Sequence, residues 1–244
     1  MAENAGISFT GETPWTPAVV TSLQAQALEQ ARNPTGRPNS DVLRRFTGFT
    51  HGRPHAHWQV DFSPYSTEQE AALYHEPFRL LRARLNEPRG HWWLNPQARP
   101  ELRTALARLE RYLVTPLALK MPVWHWTDSM VLPDDTLLAV ARDDDLTHGL
   151  LSSRIFQSWW SRYAPRLSPA EIVGAFPFPW PPATLLSALT REQEEYRMAI
   201  TRAARSTDQT MIDSAVVAAY GWPLGLADDE SQAKLMELHR QRAD

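Results

Sequence analysis

Cysteine is absent from this 244-residue chain, which excludes disulfides and thiolate metal sites and fits a reducing cytoplasm, the expected location. Lysine is nearly absent: 23 of the 25 basic residues are arginine, the side chain suited to bidentate contacts with phosphate or guanine. No apolar run approaches the ~20 residues of a membrane span, and no basic-then-apolar leader opens the chain. Internal repeats and low-complexity tracts are missing too. What remains is ordinary for a globular protein: 43% hydrophobic and 22% charged, with ten tryptophans to supply a core. The length allows one large domain or two small ones.

Charge is unevenly distributed along the chain. Residues 1–31 carry three acids and no base; residues 32–120 carry 14 basic and 8 acidic side chains; residues 121–244 carry 11 and 17. A basic middle is compatible with nucleic acid, although an overall charge of -3 gives no support by itself.

Periodicity predicts an α+β region followed by helices, with the division near residues 180–183. Pro14 and Pro17 keep residues 1–20 irregular or extended. Leu23–Ala31 reads as a short helix, and Asn33–Asn39 as a turn-rich loop. Trp58–Phe62 alternates apolar and polar as a strand does. Ser66–Glu70 is a helix start, and Pro77 should kink or split the helix that follows. Leu102, Leu106, Leu109 and Leu113 recur as one helical face after Pro100. Short strands are expected at Leu117–Lys120, Val123–Thr127 and Leu137–Ala141, and a turn that becomes a helix over Gly149–Trp160. Leu185–Ser206, Thr210–Tyr220 and Ser231–Arg242 read as helices, the last two separated by Gly221, Pro223 and Gly225.

The motifs of catalysis are missing. Methyl transfer to an exocyclic amine needs a glycine-rich turn for S-adenosylmethionine and a D/N/S-P-P-Y/F tetrapeptide that grips the flipped base. Asn33-Pro-Thr and Asn95-Pro-Gln do not continue correctly, and no glycine-rich turn follows a strand. A D/E-x-K nuclease pair is absent at both Lys120 and Lys234. His51, His55 and His57, with Asp61 nearby, could support a metal-dependent hydrolase, but a surface loop entering a strand is the stronger reading, so no metal ligand is assigned. Asp143–Asp145 reads as a solvated turn.

Leu151-Ser-Ser-Arg154 places two hydroxyls and a guanidinium near a helix N-terminus, where phosphate is favoured. A capping role for Ser152 or Ser153 is equally compatible. Arg162 and Arg166 flank Tyr163 in the connector to Phe176-Pro-Phe-Pro-Trp-Pro-Pro182, and such a loop can reach base edges.

Several blocks, in order, resemble the C-terminal part of MmeI-like adenine-specific DNA methyltransferases, the type IIL restriction–modification enzymes. They include Gly6–Gly11, Pro38–Phe46, Arg53-Pro with Trp58–Phe62, Glu70–Tyr74 with Glu76–Phe78, Trp92-Trp93, Arg103–Leu106, Arg111-Tyr112 and Thr115-Pro116. Lys120, Leu132–Asp134, Val140–Pro179 and Ala218–Pro223 complete the series. The chain departs from the family pattern at Lys120-Met-Pro122 and Ser153-Arg-Ile-Phe156, and its connector Ser161–Glu171 is short.

The resemblance implies a mixed sheet-and-helix target-recognition domain over residues 1–180 and a helical C-terminal domain over 181–244. It implies contact with double-stranded DNA and direction of adenine-N6 methylation in a restriction–modification or phage-defence system. S-adenosylmethionine is then expected on a separate methyltransferase catalytic subunit or domain, with no catalytic residue on this chain. A split specificity subunit is one expectation; a non-catalytic interaction subunit or decayed gene fragment that docks on a methyltransferase is the alternative. Arg53, Lys120 and Arg154 are the candidates for phosphate contacts, assisted by Ser152 and Ser153. Arg162, Tyr163 and Arg166 are the candidates for base reading.

Overall fold

The structure, a computed structural model, describes residues 4–180, 184, 186–206 and 208–243. β1 (Ser8–Thr10) leads through a 3-10 turn to β2 (Val19–Val20) and α1 (Ser22–Gln30). Thr21 starts α1 with a capping box: its hydroxyl accepts the Gln24 N–H, and the Gln24 side chain accepts the Thr21 N–H. β3 (Leu43–Thr50) turns back as β4 (Arg53–Val60). The two residues between them, His51 and Gly52, both take positive φ (52° and 76°), the conformation of a type I′ hairpin turn.

α2 (Glu68–Ala72) begins with a second capping box, from Thr67 and Glu70, and α3 (His75–Arg84) follows it. Pro77 does split the expected helix: it sits in the first turn of α3, where its missing N–H has no intrahelical partner to lose. α4 is short (Pro100–Leu106), and Arg111–Pro116 form β5. The leucine stripe therefore stops at Leu106 rather than running to Leu113. Tyr112, Leu113 and Val114 are buried in succession, as a central strand requires and a one-faced helix does not.

β6 (His125–Asp128), β7 (Val131–Pro133) and β8 (Leu137–Val140) precede the helices α5 (Asp145–Ser152), α6 (Arg154–Tyr163) and α7 (Pro169–Ala175). α8 (Arg191–Ser206), α9 (Gln209–Ala219) and α10 (Asp228–Ala243) close the chain. The strand expected at Leu117–Lys120 is a turn and bend instead. Pro181, Pro182 and Leu185 lie outside the described residues. The fold is α+β, with two four-stranded sheets ordered β1-β8-β5-β6 and β2-β4-β3-β7. Among the described residues no helix is long and apolar enough to cross a membrane.

Packing divides the chain into two compact units. One comprises residues 1–9, 108–127 and 138–244; the other comprises 10–107 and 128–137. The C-terminal helices thus pack in one unit with β5, β6 and α5–α7, while the assignment of residues 1–180 to recognition concerns function and is taken up below. The uneven charge of the sequence also disappears in space. The unit of 10–107 and 128–137 holds 11 basic and 12 acidic residues, and the other holds 14 and 16.

In the unit of residues 10–107 and 128–137, β4 pairs antiparallel with β2 and β3, and β3 pairs parallel with β7. Val20, Val42, Val60, Phe62, Tyr74 and Leu81 fill its core. One guanidinium organises the polar interior. Arg103 on α4 donates to both carboxylate oxygens of Glu12 and to Oδ2 of Asp61, at 2.5–2.7 Å. Glu12 also accepts the Arg99 N–H, and Oδ1 of Asp61 accepts from the Ser63 N–H and hydroxyl. Burial lowers the Arg103 pKa, but the hydrogen bonds and charges of Glu12 and Asp61 outweigh it, so the net shift is upward. This fork–carboxylate geometry suits arginine and not lysine. Asp61 is thereby committed to an ion pair rather than to the histidine cluster. Arg103→Met leaves two buried carboxylates without their cation and is expected to cost about 3–5 kcal/mol in urea denaturation; Arg103→Lys should recover only part of that loss.

Candidate functional site

Seven of the eight candidate contact residues fall in the unit that contains α6, and most lie on or beside that helix. α5 and α6 are nearly continuous, and Ser153 separates them. Its hydroxyl accepts the Phe156 N–H at 3.3 Å and donates to the Leu150 carbonyl at 2.7 Å, so it ends one helix and caps the next. Ser153 is fully buried. It stands as a cap, and its side chain is not presented to a phosphate. Ser152 is half-buried and its carbonyl accepts from Gln209.

The N-terminus of α6 already holds an anion from within the chain. The Arg154 N–H donates to Oδ1 of Asp213 at 2.7 Å, where the sequence pattern anticipated a phosphate. The Arg154 guanidinium, though 70% exposed, faces Asp228 of α10 at 3.1 and 3.4 Å. The ten residues of α6 make just under three turns and present two distinct faces. Ile155, Phe156, Trp159 and Trp160 are buried together with Phe176 and Phe178, while Arg154 and Arg162 project from the opposite side.

Arg162 donates to Oε1 of Gln232, whose amide nitrogen donates to Ser158. Arg162 and Arg166 are exposed and line one open groove with Ser161 and Gln232. Tyr163 lies between them, but its ring packs on Trp159 at 4.4 Å, which makes it the floor of this region more than a free probe. Lys120 is exposed, and its carbonyl accepts the Trp160 indole N–H at 3.3 Å, tying its turn to α6. Arg53 belongs to the other unit, exposed beside the β3–β4 turn.

A charged and aromatic cluster was not visible in the sequence. Asp144 caps α5, and Asp145 is buried between Arg111 and Arg205 at 2.8 and 2.6 Å. The expected solvated turn is therefore a cap and a buried ion pair. Arg111 also lies 3.8 Å above the Trp126 ring, which meets His148 edge-on. Burial holds the His148 pKa below the ordinary histidine range, with Arg111 and His125 acting the same way and Asp145 against them. These partners are 34 to 60 residues apart in sequence, so no local spacing announces them.

The strand-to-helix connections, Thr21 after β2, residues 61–67 after β4 and Ala141–Asp144 after β8, contain no glycine.

No protein-family model matches the chain, and no curated protein matches it. A solved structure does: the type IIL restriction–modification enzyme MmeI, in complex with DNA. The match has a TM-score of 0.57 at 16% identity, and covers 97% of this chain and 35% of that one. The chain therefore shares its fold with about a third of a restriction–modification enzyme. Because Ser153 terminates two helices at once and is buried, Ser153→Ala should destabilise the protein by about 1–2 kcal/mol, read as a lowered urea midpoint.

Proposed function

We propose that this chain is the DNA target-recognition region of a site-specific adenine-N6 methyltransferase in a restriction–modification or phage-defence system. Residues 1–180 read the target, and residues 181–244 form the helical C-terminal part. The observation that carries this reading is the fold match along 97% of the chain to part of an enzyme solved on DNA. The ordered sequence blocks described above support it independently. The lack of a methyl-donor turn and of the amine-gripping tetrapeptide assigns catalysis, and S-adenosylmethionine, to another subunit or domain.

Lys120 and Arg53 are exposed and reach phosphate as point contact and fork respectively. Arg162 and Arg166, on one groove, are the readers of base edges. Arg154 reaches DNA only by exchanging Asp228 for a phosphate. That intramolecular pairing favours a second reading, in which the chain docks on a methyltransferase and binds DNA only in the complex.

The deciding experiment is methyl transfer from labelled S-adenosylmethionine to mixed-sequence DNA, with this chain alone and together with the protein encoded just upstream. Activity only in the combination supports the proposal, and activity of the chain alone refutes the non-catalytic assignment. In the active complex, Lys120→Ala should weaken binding to all sequences and reduce the log–log salt slope by roughly one unit. Arg162→Ala should instead relax one target position, at about 1–3 kcal/mol of discrimination. Equal loss on every sequence would remove Arg162 from the readers.

A further inference from the structure

We propose that His55, His57 and Asp134 form a binding site for a divalent transition-metal ion such as zinc. The inference is independent of the DNA reading. It rests on how one row of the β4-β3-β7 sheet is built.

His55 and His57 are two residues apart on β4, so strand geometry puts both rings on one face. Opposite His55 on β3 stands Gly48. β7 runs parallel to β3 with Thr47 beside Pro133, and the Asp134 N–H continues that ladder to the Thr47 carbonyl at 2.8 Å. Asp134 therefore flanks Gly48 on the side away from His55. Adjacent strands lie about 4.8 Å apart, so a side chain on the middle strand would normally keep the outer two from meeting. Gly48 has none. The Asp134 carboxylate passes over it, and a Cβ at Gly48 would lie only 1.9 Å from Oδ2. Oδ2 consequently reaches Nε2 of His55 at 2.9 Å.

One ligand atom from each of His55, His57 and Asp134 lies within 4.8 Å of the others. Ligands held about 2.0–2.2 Å from a tetrahedral zinc stand about 3.3 Å apart, so a small rotation of the rings closes the set. The donors are already oriented by their neighbours. Thr136 donates its N–H and its hydroxyl to Oδ1 of Asp134, which leaves Oδ2 for the ion. Oε1 of Gln59 accepts the Trp15 N–H, so its amide nitrogen is the end that faces Nε2 of His57 at 3.3 Å. His57 thus accepts a hydrogen bond at Nε2, and that lone pair becomes a metal ligand when the Gln59 amide turns aside.

The carboxylate is 2% exposed and His55 is 38% exposed, so the site has a dry floor and an open mouth. Two imidazoles and one carboxylate select zinc, cobalt or nickel over magnesium or calcium, which take all-oxygen sets. Three protein ligands leave at least one position for water. His51 sits in the hairpin turn outside the clustered ligand atoms, and Asp61 is held by Arg103, so neither belongs to the set. An ion bound at Nε2 of His55 replaces the proton on that nitrogen, which passes to Nδ1 of the neutral ring or, from a doubly protonated ring, to solvent.

The test is calorimetric titration of zinc chloride into the untagged, chelator-treated full chain. One equivalent should bind, and His55→Gln and His57→Gln should each weaken it at least tenfold, with far-UV circular dichroism unchanged. Gly48→Ala, which touches no ligand atom covalently but pushes the carboxylate aside, should weaken binding by about 10–100-fold as a positioning change. Absence of stoichiometric binding overturns the site, and so does wild-type affinity in either histidine variant. Should Gly48→Ala fail to fold, the two histidine variants, both at the half-exposed edge, still decide it.

Discussion

The aromatic face of α6 is the constraint on which the candidate interface depends. Ile155, Phe156, Trp159 and Trp160 are buried against Phe176 and Phe178, and the helix cannot rotate without exposing several large rings. Burying side chains of this size contributes roughly 1.5–3 kcal/mol each, far more than any surface ion pair on the other side of the helix. The rotation is therefore set by the apolar face. Arg154 and Arg162 point outward as a consequence, and Asp213, Asp228 and Gln232 on the C-terminal helices meet them there. The same packing explains why the FPFP run carries no polar chemistry: Phe176 and Phe178 belong to the core that positions the charges.

In the unit of residues 10–107 and 128–137, a different principle operates. Its polar interior is held by single groups that satisfy several partners. Arg103 answers two buried carboxylates, and the missing side chain of Gly48 lets Asp134 reach across a strand to His55. Each arrangement tolerates little change, because a buried charge without its partner costs more than the pair contributes. The near balance of acids and bases within each unit has the same origin. Opposite charges from distant parts of the chain are brought together during packing, so the basic middle of the sequence does not become a basic body.

Arg53, Arg162 and Arg166 remain exposed, and α6 is seated by its buried aromatic face. The fold as a whole is similar to part of a larger restriction–modification enzyme. The pairing of Arg154 with Asp228 ties α10 to the N-terminus of α6.

Local patterns in the amino-acid order were enough to identify α1, α9, α10, β8 and the helix split at Pro77, because capping residues, apolar spacing and proline act within a few positions. They also carried the α+β class and the position of Ser153 at a helix start. A capping box at Ser168 and Glu171 would have revealed α7 as well. Tertiary structure decided the rest. Leu113 entered a strand because both its faces are covered, overriding a helical leucine period. Ser153 became a buried cap and Arg154 an ion-paired residue through Asp213 and Asp228, more than fifty positions away. Asp134 joined the histidines only because β7 lies beside β3. Hydrogen bonds and burial between distant segments leave no period in the sequence, so chain order determines which elements form, while packing determines which side chains remain available to act.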